Sequence, residues 1–97
     1  MIVVSRTSAG ITVEGHAGYA ETGSDIVCAA VSALTVNLIN SIELLTEDDV
    51  DYFKNEETGY IDLRFKDLSE RGKLLVDSFF IGIQAMSEMY KDYVQVI

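Results

Sequence analysis

A single cysteine, Cys28, and a single histidine, His16, are the side chains in this sequence best suited to nucleophilic chemistry. The stretch that joins them, Gly15-His16-Ala17-Gly18-Tyr19-Ala20-Glu21-Thr22-Gly23-Ser24-Asp25-Ile26-Val27-Cys28, holds three of the chain's seven glycines. If Ser24 or Asp25 caps a helix, Cys28 falls in its first turn. Unpaired N–H groups and the macrodipole favour an anion there, and thiolate is the nucleophilic form of cysteine. His16 follows an alternating strand pattern, on its polar side. The glycine-rich loop can bring the imidazole within hydrogen-bonding reach of the sulfur. A base beside a nucleophile is the minimum for acyl transfer, and free N–H groups at the helix start would hold the developing oxyanion. The residues alone leave other readings open. A lone cysteine also serves as a small buried hydrophobe. A lone histidine also serves as a surface or structural group, Asp25 as a cap alone, and the loop as a binding segment without chemistry.

One cysteine allows no internal disulfide, and one cysteine with one histidine falls short of a four-ligand zinc site. No metal or other cofactor is expected. The formal net charge is −9, from 16 acidic and 7 basic side chains. This argues against direct binding to nucleic acid or to an anionic membrane. It favours a basic partner, although the same charge also serves solubility alone. Glu43, Glu47, Asp48, Asp49, Asp51, Glu56 and Glu57 cluster in one region. No basic segment precedes an apolar one at the amino end, so no signal peptide is expected. No apolar run is expected to reach bilayer-spanning length. A reducing cytosol is the expected compartment.

The elements that must position these residues follow from periodicity. At 97 residues the chain is expected to form one domain, residues 1–97. Residues 1–7 read as a strand, Ser8-Ala9-Gly10 as a turn, and Ile11 and Val13 as the buried side of a second strand that runs on to His16. Val27, Val31, Leu34, Leu38, Ile42 and Leu45 share one face of a helix from Asp25 to about Leu45. Val50 and Tyr52 mark a third strand and Glu56-Glu57-Thr58-Gly59 a turn. Ile61, Leu63 and Phe65 mark a fourth strand. A second helix, capped by Ser69, runs to about Lys91 with Leu75, Phe79, Ile83, Met86 and Tyr90 as its stripe. Tyr93 to Ile97 form a last short strand. The fold class is α+β: a two-layer ββαββαβ arrangement, with a mainly antiparallel sheet and two helices on one face.

Gly15-His16-Ala17-Gly18-Tyr19-Ala20, followed by Gly23-Ser24-Asp25-Ile26-Val27-Cys28-Ala29-Ala30-Val31-Ser32, resembles the ribosomal-processing cysteine protease family, Prp. The resemblance implies a cysteine endopeptidase. Its implied substrate is large-subunit ribosomal protein twenty-seven, whose short N-terminal extension it removes after paired aromatic residues. It implies Cys28 as nucleophile and His16 as general base, supported by Gly15, Asp25 and Ser32. It also implies a homodimer, and a mobile loop formed by Ala17, Gly18, Tyr19, Ala20, Glu21, Thr22, Gly23 and Ser24. The basic ribosomal segment would be the partner. The alternative is an acidic, non-enzymatic module that binds such a segment.

Overall fold

Seven elements appear in the order expected. In the computed structural model, which describes residues 1–21 and 23–97, they are β1 (Ile2–Arg6), β2 (Gly10–Glu14), α1 (Ile26–Leu45), β3 (Val50–Asn55), β4 (Tyr60–Phe65), α2 (Glu70–Met89) and β5 (Val94–Val96). The strands form one sheet in the order β3-β4-β2-β1-β5. Three of its pairings are antiparallel. Only β1–β5 is parallel, with Val4 opposite Val96.

Strand alternation sets the core. Val4 pairs with Val13, and Ile11 with Leu63, so these side chains share one face. They cluster with Val27, Val31, Leu38 and Ile42 of α1 and with Val76, Phe79 and Ile83 of α2. Both helices therefore cover the same side of the sheet, which gives the two-layer α+β arrangement. The two helices also pack on one another: a side chain at Gly82 would press on Leu34. The other face carries Ser5, Thr12, Asp62 and Arg64, the polar half of each alternation.

Three expectations need correction. Strand β2 stops at Glu14 rather than reaching His16, because Gly15 turns the backbone to φ +98. Leu45 is 58% exposed although the helical repeat placed it on the buried stripe; Thr35 and Ile39 are buried in α1 instead. The buried side steps by four through Val27, Val31, Thr35 and Ile39 and so rotates away from Leu45, while Ile42 in the same last turn stays buried. Finally, α1 is long and apolar enough by composition to cross a bilayer, with a mean hydropathy of 1.6. Its buried side packs on the sheet, as in the core helix of a folded domain.

Candidate active site

The site is built where β2, the β3–β4 turn and the start of α1 meet. Asp25 organises it. It is the N-cap of α1, and its Oδ1 accepts from the N–H groups of Val27 and Cys28, both at 3.0 Å. Its Oδ2 accepts from Tyr19 N–H at 3.0 Å and Ala20 N–H at 3.2 Å. One carboxylate thus ties the glycine-rich loop to the first turn of the helix. The Cys28 N–H bond does most to hold the Asp25 carboxyl below its ordinary range. Burial opposes this, and the Ala20, Tyr19 and Val27 N–H groups add to the lowering.

This cap changes the expected oxyanion arrangement. The N–H groups of Val27 and Cys28 are occupied by the carboxylate, and that of Ala29 by the Asp25 carbonyl. The helix start therefore does not offer these donors to an oxyanion. The donor aimed at the sulfur comes from the loop: Ala17 N–H reaches Cys28 Sγ at 3.2 Å. Such a donor stabilises negative charge on the sulfur. Cys28 itself is half-buried, free of any disulfide, and within the first turn as expected.

His16 is exposed and lies just past β2. Its Nε2 stands 3.1 Å from the carbonyl oxygen of Glu57, on the β3–β4 turn. A carbonyl only accepts, so this contact assigns the ring proton to Nε2 and leaves Nδ1 as the basic nitrogen. Among the described residues no hydrogen bond joins His16 to Cys28 or to Asp25. The two candidate chemical groups nonetheless line the same two recesses. One, of about 230 Å³, has apolar walls from Ile2, Val13, Val31 and Ile61. The other is a wider groove along Gly18, Ala20, Gly23 and Ala29. His16, Cys28 and Ser32 border both, so a peptide bond lying on them would have a side-chain space on either side.

Residues 2–95 match the family described as cysteine protease Prp. The chain belongs to that family. It is accordingly a cysteine protease. The ribosomal processing cysteine protease Prp of Staphylococcus aureus is 28% identical over 87 residues, covering 89% of this chain and 82% of its relative. The Prp of Bacillus subtilis is also 28% identical over 87 residues, covering 84% and 78%. Among solved structures, Staphylococcus aureus Prp with a covalently linked product peptide superposes with a TM-score of 0.91. It is 26% identical, covering 99% of this chain and 97% of that one. The Streptococcus mutans protein SMU.848 gives 0.81 at 32% identity, covering 98% and 89%.

The remaining residues singled out by the sequence fall as follows. Ser32 is exposed, one turn beyond Cys28, and makes no hydrogen bond among the described residues. Thr35, not Ser32, bonds back to a helix carbonyl, that of Val31 at 2.8 Å. Gly15 is required by its φ of +98 and by the Met1 carbonyl packed where a Cβ would stand. In the loop, Tyr19 rests edge-on against Tyr90 and Tyr93, with ring centroids 5.7 and 5.2 Å away. Ser24 N–H donates to the Glu21 carbonyl at 2.9 Å. Thr22 lies outside the described residues. The acidic cluster is divided. Glu56 borders the smaller recess, whereas Glu47, Asp48, Asp49 and Asp51 gather at the other end of β3. Asp48 has a structural task there, accepting from Ser69 N–H and Oγ at the start of α2. Sequence reasoning missed the β3–β4 turn as part of the site. Its signal was Gly59 closing the turn, but nothing in the sequence says that this turn reaches His16.

Proposed function

We propose that this chain removes the short N-terminal extension of large-subunit ribosomal protein twenty-seven, cutting after paired aromatic residues, in the cytoplasm. Cys28 is the nucleophile and His16 the base. The observation that carries this is the joint placement of His16 and Cys28 on the divide between two recesses, with a backbone donor on the sulfur. The Prp of Staphylococcus aureus is a ribosomal processing protease whose structure holds a covalently linked product peptide.

The chemistry follows from the atoms present. Nδ1 of His16 takes the thiol proton, and the thiolate attacks the scissile carbonyl carbon. The C=O electron pair moves to oxygen, and the Ala17 N–H that now donates to the sulfur at 3.2 Å is a loop donor for it. As the intermediate collapses, the C–N bond breaks and the imidazolium returns the proton to the leaving amine. Water, deprotonated by the same imidazole, then releases the acyl group and restores the thiol. Asp25 holds the loop on the helix start. Gly15 supports the turn into His16, and Ser32 borders the path of the peptide.

An aromatic side chain suits the smaller recess. Its 230 Å³ exceeds the roughly 150 Å³ cavity known to admit benzene, and its walls are largely apolar. The basic character of a ribosomal protein tail suits a chain of net charge −9. Residues 17–21, 23 and 24 form the mobile loop beside the sulfur, and a homodimer is the working unit. Exposed Leu44, Leu74 and Ile81 on the helices are apolar surface that a second copy would cover.

The test is incubation of purified protein with a peptide copying the ribosomal extension, read by mass spectrometry. A single cut after the aromatic pair is expected. A peptide that stays intact, and is merely held in a complex, would instead mark an acidic binding module.

A further inference from the structure

The turn between β3 and β4 grips the His16 segment by extending the β2–β4 pairing, in which Val13 faces Ile61. Gly15 N–H donates to the Gly59 carbonyl at 3.0 Å, and His16 Nε2 meets the Glu57 carbonyl at 3.1 Å. The shape of the turn comes from one side chain. Asn55 Oδ1 accepts from Glu57 N–H at 3.1 Å and from Thr58 N–H at 3.3 Å, an arrangement in which a short amide side chain substitutes for backbone pairing. Gly59 then closes the turn at φ +67. In nucleophile–base pairs the base is commonly oriented by a third group, and among the described residues no carboxylate or amide side chain hydrogen-bonds the His16 ring.

We propose that Asn55 is a positioning residue: by shaping the β3–β4 turn it aims the Glu57 carbonyl at His16 Nε2, which fixes the tautomer whose Nδ1 takes the thiol proton. The proposal rests on His16 being the base. The backbone carbonyl does here what a third side chain does in a triad. It accepts from Nε2–H, holds the ring plane, and stabilises the imidazolium when Nδ1 gains its proton. Asn55 acts through the turn and contributes no atom to bond making.

Because the chain has one histidine, its imidazole nitrogens are the only ones in a ¹⁵N–¹H long-range spectrum. The neutral ring of the wild type is expected as the Nε2–H tautomer. Asn55→Ala is expected to mix the tautomers and lower kcat by about tenfold, with KM within about twofold, as for a displaced catalytic group. Asn55→Asp keeps an acceptor for the two turn N–H groups and is expected to recover most of the lost kcat. A wild-type ring protonated on Nδ1 overturns the proposal, even if Asn55→Ala fails to fold. So does Asn55→Ala with wild-type kcat and tautomer, or with its loss confined to KM, which would assign Asn55 to peptide binding. Wild-type cleavage by His16→Ala would instead sink the reading of His16 as the base, while the tautomer spectrum would still judge the turn.

Discussion

Two glycines with nearly equal backbone angles separate folding from catalysis in this site. Gly59 sits at φ +67 and Gly18 at φ +71. Alanine at either position pays the left-handed backbone cost, about 1–2 kcal/mol. For a domain of this size that is a loss of about 4–8 °C in Tm per kcal/mol. The surroundings differ. A Cβ at Gly18 meets nothing within 4 Å, whereas one at Gly59 would stand 2.6 Å from the Gly15 carbonyl oxygen and 3.0 Å from His16 Cε1. To reach an ordinary contact of 3.4 Å, the Gly15 oxygen must retreat by about 0.8 Å, and the neighbouring imidazole moves with it. A displacement near 1 Å in a reacting group costs on the order of 10²-fold in rate. Gly59→Ala should therefore lower kcat/KM for an aromatic-pair peptide by about 10²-fold. Gly18→Ala should lose much less rate, and its Tm should fall by the backbone cost alone. Thermal melts and initial rates on the two purified variants decide it. Equal losses of rate in both variants would refute the coupling of the β3–β4 turn to His16.

Three other outcomes follow from the site. Cys28→Ala abolishes cleavage without unfolding the half-buried first turn, and Cys28→Ser retains almost none, since a hydroxyl is far harder to ionise beside one imidazole; circular dichroism and peptide turnover check both. Asp25, whose carboxyl is held below the ordinary 3.8 in the folded state, contributes stability above that pH and loses it as pH falls through the lower folded value. The Tm gap between wild type and Asp25→Asn should therefore be widest at neutral pH and close below about pH 4; a gap that is constant down to acid would show that the charge is irrelevant to the cap. If the net charge of −9 steers a basic tail, kcat/KM should fall as salt rises through the physiological range, and a flat profile removes steering.

The fold was legible because its signals are local. Ile61, Leu63 and Phe65 alternate with charged neighbours, and Ser69 and Asp25 stand where helix starts need an oxygen. The strand order was not legible, since β2 pairing with β4 and β1 with β5 are contacts between distant segments that no periodicity encodes. At the site the same division holds. Cys28 in the first turn of α1 follows from Asp25 and the helical repeat. The Glu57 carbonyl on His16 could not be read, because it is a backbone atom delivered by the β2–β4 pairing. Leu45 misled because a fixed stripe ignores that the buried side rotates along α1, from Val27 and Val31 towards Thr35 and Ile39.

With its first-turn N–H groups occupied, the helix start has little to offer a sulfur anion. An uncapped helix start would favour a thiolate through its dipole and orphan N–H groups, but here the Asp25 carboxylate sits on those groups and sets a negative charge against the positive end. What remains to stabilise a sulfur anion is the Ala17 N–H at 3.2 Å and the imidazole of His16. Both belong to the segment that Asp25 Oδ2 fastens through Tyr19 and Ala20. The carboxylate therefore weakens one route of activation while holding in place the loop that supplies the other. With His16 Nε2 on Glu57 and Sγ on Ala17 N–H, ring and sulfur are each satisfied without bonding to one another. If Cys28 and His16 are the nucleophile and base proposed above, proton transfer between them requires ring and sulfur to meet. The Ala17 N–H and the Glu57 carbonyl are the backbone groups to which sulfur and ring are bonded instead.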